Sequence, residues 1–113
     1  MVDASGLDLF ETIEGYFVAD ALPDPDSVAA WFSPNAEVHD EGRTYCGAEA
    51  IRAWRVGGKA KTAYIVEPLT ETQVKGRTVV SAKVAGNFPG SPVTLSYAFT
   101  IVNDLIVDLD IRP

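Results

Sequence analysis

The C-terminal segment of the sequence constrains the fold most, because it has the pattern of a β-hairpin. From Val93 to Val102 the larger apolar side chains occupy every second position, which is the period of a strand with one buried face. A second apolar run, from Leu105 to Arg112, follows the turn-forming residues Asn103 and Asp104. The segment therefore predicts two antiparallel strands that cover a core with one face.

The register of this hairpin decides whether Asp108 and Asp110 face the core. A two-residue loop would place Asp110 opposite Tyr97, whereas a three-residue loop pairs Tyr97 with Leu109 and leaves one face wholly apolar. Because a slip of one residue moves every side chain to the other face, burial favours the three-residue loop. Asp108 and Asp110 are therefore predicted to point outward, and a catalytic pair of carboxylates is the less favoured alternative.

The order of the other signals along the chain indicates an α+β fold. A capping box at Ser5-Gly6-Leu7-Asp8 starts a first helix, and Asp24-Pro25 has the cap-then-proline pattern that starts a second. A third helix is predicted over about Ala48 to Val56, where Gly57-Gly58 ends it. Helices in the first half and strands in the second favour α+β over a βαβ arrangement. The remaining predicted boundaries are the end of the second helix at Ser33-Pro34, a strand at Glu37–Asp40, a return strand at Thr44-Tyr45, and strands over 62–74, 77–87, 92–102 and 105–112.

The length and composition fit one domain. The 113 residues, 47% of them apolar, suffice for one hydrophobic core but not for two. We therefore expect a single domain over residues 1–113, with three N-terminal helices packed on a strongly curved, mainly antiparallel sheet. Such an arrangement forms a cone with an apolar pocket at its open end.

Charge and cysteine content argue against several classes of function. The formal net charge is −7 and the nine Lys and Arg residues are scattered, so the surface repels phosphate backbones and nucleic acid is not an expected partner. No segment approaches the roughly 20 apolar residues of a membrane span, and no secretion signal is recognisable. A single cysteine cannot form an intrachain disulfide. We expect a cytoplasmic protein without a membrane partner or a cofactor.

Asp40 is the strongest candidate for a catalytic group. It follows the apolar Val38 by two residues, so both side chains point to the same side of a strand, towards the core. Apolar surroundings disfavour the charged form of a carboxyl and raise its pKa towards that of a useful base. Asp40-Glu41-Gly42 is also a plausible turn, in which the aspartate would have a structural role. The residues alone do not decide between these two interpretations.

Tyrosine, histidine and cysteine supply the other candidates. Tyr16 on the first helix and Tyr97 on the sheet are either core residues with a hydroxyl at the rim or hydroxyl donors inside the pocket. His39 should face outward, beside an inward Asp40. Because we find no cluster with zinc or iron spacing, no metal site is expected and His39 is assigned a structural or interface role. Cys46 is expected to be a buried, inert thiol.

Four segments spread over nearly the whole chain carry a family resemblance. They are Tyr16-Phe17, Trp31 to Asp40 (WFSPNAEVHD), Gly47 to Trp54 (GAEAIRAW) and Tyr97 to Ile101 (YAFTI). With these segments the sequence resembles the nuclear transport factor 2-like superfamily, especially its SnoaL-like and ketosteroid isomerase-like branches. The patterns identify the fold better than the activity.

The resemblance implies roles for individual residues. In ketosteroid isomerases a helix-1 tyrosine and a protonated aspartic acid form an oxyanion hole, and a second aspartate moves the proton. Tyr16 matches that tyrosine and Asp40 matches the base, while the position of the oxyanion aspartic acid falls on Tyr97. Epoxide hydrolases of the superfamily use an Asp-Arg-Asp set. Their C-terminal aspartate falls on Ile111, and no inward arginine is recognisable, so that chemistry is disfavoured.

The function predicted from these residues is proton transfer next to a carbonyl in an apolar small molecule, as in an isomerase or a polyketide cyclase. Asp40 is the base, and Tyr16 and Tyr97 hold the enolate oxygen. The alternatives are a binding module that holds a ligand without chemistry and a dimeric interaction domain, since one fold hosts all three. The residues predicted to line the ligand site are Phe17, Trp31, Trp54, Tyr64, Phe99 and Leu109.

The outer face of the sheet is predicted to form a subunit contact. Its residues are small, uncharged or apolar, which suits a self-complementary contact better than open water. We therefore expect a homodimer through this face, and the family resemblance points the same way. The residues predicted on it are Thr94, Ser96, Ala98, Thr100, Val102 and Ile106.

Overall fold

The computed structural model of the protein describes residues 11–22, 24–61 and 64–113. The predicted capping box at Ser5–Asp8 lies outside these residues. The elements in chain order are the helices and strands α1 (Glu11–Asp20), α2 (Pro25–Ala29), β1 (Phe32–Asp40), β2 (Arg43–Cys46), α3 (Ala48–Lys61), β3 (Tyr64–Val74), β4 (Arg77–Gly86), β5 (Val93–Val102) and β6 (Leu105–Arg112). None of the helices described is long and apolar enough to cross a membrane.

The six strands form one open, mixed sheet in the order β2-β1-β6-β5-β4-β3. Only the β1–β6 pair is parallel, and every other neighbouring pair is antiparallel. Register shifts interrupt the ladders within β1, β3 and the β5–β6 pair, and such bulges bend strands and increase their twist. The prediction of an α+β fold with a mainly antiparallel, curved sheet is therefore confirmed.

The second helix starts as predicted but ends earlier. The Asp24 carboxylate accepts a hydrogen bond from the amide of Asp26 at 3.0 Å, which caps α2. The predicted helix end at Ser33-Pro34 is wrong, because both residues lie in β1. Pro34 has no amide hydrogen to donate, and it is accommodated where the pairing of β1 with β6 shifts its register.

The third helix continues through the glycines that were predicted to end it. It runs to Lys61, and Gly57 does not adopt the left-handed backbone of a C-terminal glycine cap. A glycine inside a helix costs only about 1 kcal/mol relative to alanine. That cost is small enough for tertiary contacts of the helix to outweigh it.

The C-terminal hairpin has a different register from the one predicted. Asn103 and Asp104 have φ angles of 52° and 64°, and they form a two-residue turn that pairs Val102 with Leu105. Two residues with positive φ are typical of the turn type that matches strand twist. The predicted three-residue loop is therefore wrong. A bulge at Val107 inserts one extra residue into β6, which restores the burial of its apolar side chains.

The bulge makes the predicted outward orientation of Asp108 and Asp110 correct despite the different turn. These residues pair with Thr100 and Ala98, on the face opposite Tyr97 and Phe99. Ile106 lies before the bulge and is fully buried, so its predicted place on the outer face is wrong. Burial of apolar side chains, rather than loop length, determines the face of each residue here.

Two helical glycines should respond in opposite ways to replacement by alanine. A Cβ atom on Gly15 would overlap the ring of Trp31, whereas one on Gly57 would meet no atom within 4 Å. We expect Gly15→Ala to destabilise the protein by about 1–3 kcal/mol through overpacking. Gly57→Ala should stabilise it by about 0.5–1 kcal/mol through helix propensity. Urea denaturation measures both, and equal effects of the two changes would contradict the packing of α1 on Trp31.

Candidate functional site

A cavity of about 470 Å³ opens beside α1, α3 and the inner face of the sheet. Its volume lies in the range of pockets that hold small molecules. The wall combines apolar and aromatic side chains with several ionisable ones. The residues that line it are Tyr16, Asp20, Asp40, Glu41, Trp54, Arg55, Tyr64, Val84, Phe88, Leu95, Tyr97, Ile111, Arg112 and Pro113.

Asp40 lies at the end of β1, where its half-buried carboxylate faces the cavity. The indole Nε1 of Trp54 donates a hydrogen bond to its Oδ2 at 3.0 Å. Burial raises the pKa of Asp40, and the charge of Glu41 adds to the rise, while the Trp54 hydrogen bond opposes it. Asp40 also precedes a turn in which Glu41 and Gly42 have positive φ. Asp40 thus both faces the cavity and stands at the start of a turn, and its catalytic role stays a prediction.

Tyr16, Tyr64 and Tyr97 place three phenol groups on the cavity wall. Burial raises the pKa of each hydroxyl, and the negative charges of Asp20 and Asp40 raise it further. All three phenols therefore stay protonated at neutral pH and can donate hydrogen bonds. Tyr16 packs edge-to-face against Phe17, Phe32 and Phe99, with ring centroids 5.1, 5.9 and 5.5 Å away.

A buried ion pair between Asp20 and Arg55 is the main feature that the sequence analysis missed. Only 5% of Asp20 and 4% of Arg55 is exposed, and Arg55 Nε lies 3.1 Å from Asp20 Oδ1. Arg55 Nη2 also donates hydrogen bonds to the carbonyl oxygens of Asp20 and Leu22, at 2.8 and 2.7 Å. These contacts satisfy the carbonyl of the last residue of α1 and that of Leu22, two residues beyond the helix.

The expectation that no arginine faces inward is therefore wrong. A signal for the ion pair is present in the sequence. Asp20 follows Tyr16 by four residues and Arg55 follows Ile51 by four, so each charge continues the apolar face of its helix. Opposite charges on two core-facing helix stripes predict a buried pair, because an isolated buried charge is costly.

The predicted ligand-binding residues divide into two groups. Trp54 and Tyr64 line the cavity. Phe17, Trp31, Phe99 and Leu109 belong instead to the hydrophobic core or pack against it, outside the cavity lining. The apolar part of the lining that the prediction did not include consists of Val84, Phe88, Leu95 and Ile111.

His39 and Cys46 lie outside the cavity. His39 faces outward, as predicted, and contacts Glu37, Thr44 and Asp108 on the outer face of the sheet. The sequence spacing gave no indication of this cluster, because Asp108 is remote in the chain. Cys46 is exposed at the end of β2, so the prediction of a buried thiol is wrong.

Replacing Trp54 with phenylalanine should raise the pKa of Asp40 further. The change removes a hydrogen bond that favours the charged carboxylate, while an aromatic ring remains in place. Carbon-13 NMR of the aspartate carboxyl groups measures this pKa directly. Trp31→Phe is the matched control, because Trp31 does not line the cavity, and it should leave the Asp40 titration unchanged. An unchanged Asp40 pKa in the Trp54 variant would contradict the role of this hydrogen bond.

Comparison with known proteins places the fold in a family. No protein-family model matches the sequence, and no curated protein matches it. A solved structure of a protein from Sinorhizobium meliloti, described as a proposed polyketide cyclase, is 44% identical. The alignment covers 93% of this chain and 96% of that one, with a TM-score of 0.88.

Two more distant structures share the fold alone. A protein from Catenulispora acidiphila with a ketosteroid isomerase-like fold, solved with trimethylamine, is 16% identical with a TM-score of 0.80, over 91% of this chain and 85% of that one. A nuclear transport factor 2-like protein from Cytophaga hutchinsonii is 9% identical with a TM-score of 0.72, over 99% and 90%. Together with the relative that is 44% identical, these likenesses of fold show that the chain belongs to the nuclear transport factor 2-like superfamily.

Proposed function

We propose that this protein is an isomerase- or cyclase-type enzyme that moves a proton at a carbon next to a carbonyl group. The observation that carries the proposal is Asp40, a carboxylate on the cavity wall whose pKa is raised by burial. A base is most effective when its pKa lies near the working pH, and burial moves an aspartate in that direction. The carboxylate is also held in one place by Trp54.

In the proposed reaction the Asp40 carboxylate takes a proton from the carbon, and the electron pair of the broken C–H bond moves to form an enolate. The hydroxyls of Tyr16 and Tyr97 donate hydrogen bonds to the enolate oxygen, where negative charge develops. In an isomerisation, the Asp40 carboxylic acid then returns the proton to another carbon. In a cyclisation, the enolate carbon instead forms a bond to the carbon of a second carbonyl of the same molecule. The π electrons of that carbonyl move to its oxygen, and the resulting alkoxide takes the proton back from the Asp40 carboxylic acid.

The rest of the cavity favours a ligand that is mostly apolar. Val84, Phe88, Leu95 and Ile111 supply apolar wall, which suits the hydrocarbon part of a small ketone. The Asp20–Arg55 pair offsets its own charges, so it adds no net charge to the site. Its contacts fix the end of α1, the helix that carries Tyr16, and thereby position one of the two proposed donors.

The likeness to other proteins supports this class of reaction. The relative that is 44% identical has been proposed to be a polyketide cyclase, and polyketide cyclisation requires carbanions next to carbonyls. A second structure has a ketosteroid isomerase-like fold, and it supports the fold of the site rather than its substrate. The relative that is 44% identical therefore favours carbonyl chemistry without selecting the substrate.

Hydrogen–deuterium exchange tests the proposal without knowledge of the natural substrate. The protein is incubated in D₂O with 1-tetralone and with a 3-keto-Δ5-steroid, and exchange at the carbon next to the carbonyl is followed by NMR. We expect exchange faster than in buffer for at least one ketone. Binding of 2-naphthol, a planar phenol that resembles an enolate, without exchange of any ketone would instead favour the non-catalytic binding module.

A further inference from the structure

Three potential metal ligands meet on the outer face of the sheet, away from the cavity. Glu37 and His39 are two residues apart on β1, so their side chains share a face. Asp108 of β6 is the parallel partner of Glu37, and the bulge at Val107 turns Asp108 to that same face. The fold thus brings together an imidazole and two carboxylates from positions about seventy residues apart in sequence.

The distances between the donor atoms fit a single small cation. His39 Nε2 lies 3.0 Å from Asp108 Oδ2 and 3.4 Å from Glu37 Oε1, and the three donor atoms all lie within 4.8 Å of one another. Ligands bound tetrahedrally to zinc at its usual bond lengths are roughly 3.4 Å apart. A cation between these atoms would therefore need only small movements of the side chains.

The imidazole is oriented by a contact on its far side. His39 Nδ1 lies 3.0 Å from Thr44 Oγ1 on β2. If Nδ1 carries the hydrogen and donates a hydrogen bond to Thr44 Oγ1, the lone pair of Nε2 points towards both carboxylates. Histidines that bind metals usually donate their second ring N–H to an outer partner in this way. A hydrogen on Nε2 could donate a well-aligned hydrogen bond to only one of the two carboxylates, whereas a cation can bind both.

The net charge around the cluster favours binding of a cation, but neighbouring arginines lower the affinity of the site for it. Arg77 approaches Asp108 and Asp110 at 3.9 and 4.0 Å, and Arg112 bonds to Asp110 at 3.0 Å. With Glu37 included, three carboxylates face two guanidinium groups. The formal charge is therefore −1 before a cation binds, and Arg77 competes with the cation for Asp108.

We propose that Glu37, His39 and Asp108 form a binding site for one first-row divalent cation, with zinc as the best-fitting probe. One imidazole nitrogen and two carboxylate oxygens suit such ions, and hard cations such as magnesium prefer oxygen alone. The side chains of Glu37 and His39 are 48% and 34% exposed, so a fourth position on the ion can face solvent. None of these three residues lines the cavity that Asp40 faces, and the site does not depend on the proposed function.

Isothermal titration of the metal-free protein with zinc chloride tests the site. We expect one zinc ion per chain, with affinity reduced more than about 100-fold in His39→Phe and in Asp108→Asn, since even outer-shell changes cost about 10–100-fold. In the Thr44→Val variant the affinity for zinc should fall by about 10–100-fold. Arg77→Gln should bind more tightly, because a competing positive charge is removed. Glu67→Gln, an exposed carboxylate on β3, is the control and should bind as the wild type does.

Two further readouts complete the test. Cobalt(II) in place of zinc should give the visible absorption of a low-coordinate site, lost in His39→Phe, and light scattering should show the same mass with and without zinc. Absence of zinc binding at millimolar concentration would overturn the proposal. So would binding that survives both His39→Phe and Asp108→Asn, or binding that occurs only with an increase in mass.

Discussion

Replacing Asp40 with asparagine is expected to reduce proton exchange next to the ketone carbonyl by about 100- to 10,000-fold. An amide does not accept a proton at neutral pH, but it keeps the size of the side chain and an oxygen for the Trp54 hydrogen bond. The fold should therefore be unchanged. The exchange rate by NMR gives the size of the loss, and circular dichroism verifies the fold.

Asp26→Asn is the matched control for this change. Asp26 is exposed on α2, pairs with Arg52 at the surface and does not line the cavity. The rate of ketone exchange with the Asp26→Asn variant should equal that with the wild type. A rate in the Asp40 variant that also equals the wild type would remove Asp40 from the mechanism.

Replacing Arg55 with methionine is expected to lower the free energy of unfolding by about 3–5 kcal/mol. The change leaves the carboxylate of Asp20 buried without its cation and removes the donors to the carbonyls of Asp20 and Leu22. For a small domain this is a large share of the total stability. Urea denaturation measures the loss.

Two comparisons show whether the loss comes from the buried pair. The double variant Asp20→Asn/Arg55→Met should be more stable than Arg55→Met alone, because a neutral amide replaces the buried carboxylate that lost its arginine. Arg52→Met removes an exposed arginine that is paired with Asp26, and it should cost no more than about 1 kcal/mol. Similar losses for Arg52→Met and Arg55→Met would contradict the burial of the pair.

Features that depend on local pattern were predictable from the sequence. The alternation of apolar residues predicted the inward Tyr97, and the two-residue spacing from Val38 predicted that Asp40 faces inward and His39 outward. The cap at Asp24 was predicted from residue type. The faces of Asp108 and Asp110 were also correct, because burial fixes the face even when the turn is misjudged.

Features that depend on long-range contacts were not predictable in the same way. The Asp20–Arg55 pair joins two helices, and the Glu37–His39–Asp108 cluster exists because β1 pairs with β6 in parallel. Neither the approach of Asp20 to Arg55 nor that of Asp108 to His39 can be predicted from residue spacing within one helix or strand. The length of α3 was misjudged for a similar reason, since glycine propensity is weak compared with tertiary packing.

In the proposed mechanism Asp40 is a carboxylate with a raised pKa that accepts the substrate proton. The most direct test is to measure, on one sample series, the pH dependence of ketone exchange and the NMR titration of the Asp40 carboxyl. We expect the exchange rate to rise with pH through a single ionisation whose midpoint matches the Asp40 pKa, above its ordinary value of 3.8. An Asp40 carboxyl that titrates at or below 3.8, or exchange that does not follow its ionisation, would contradict this mechanism.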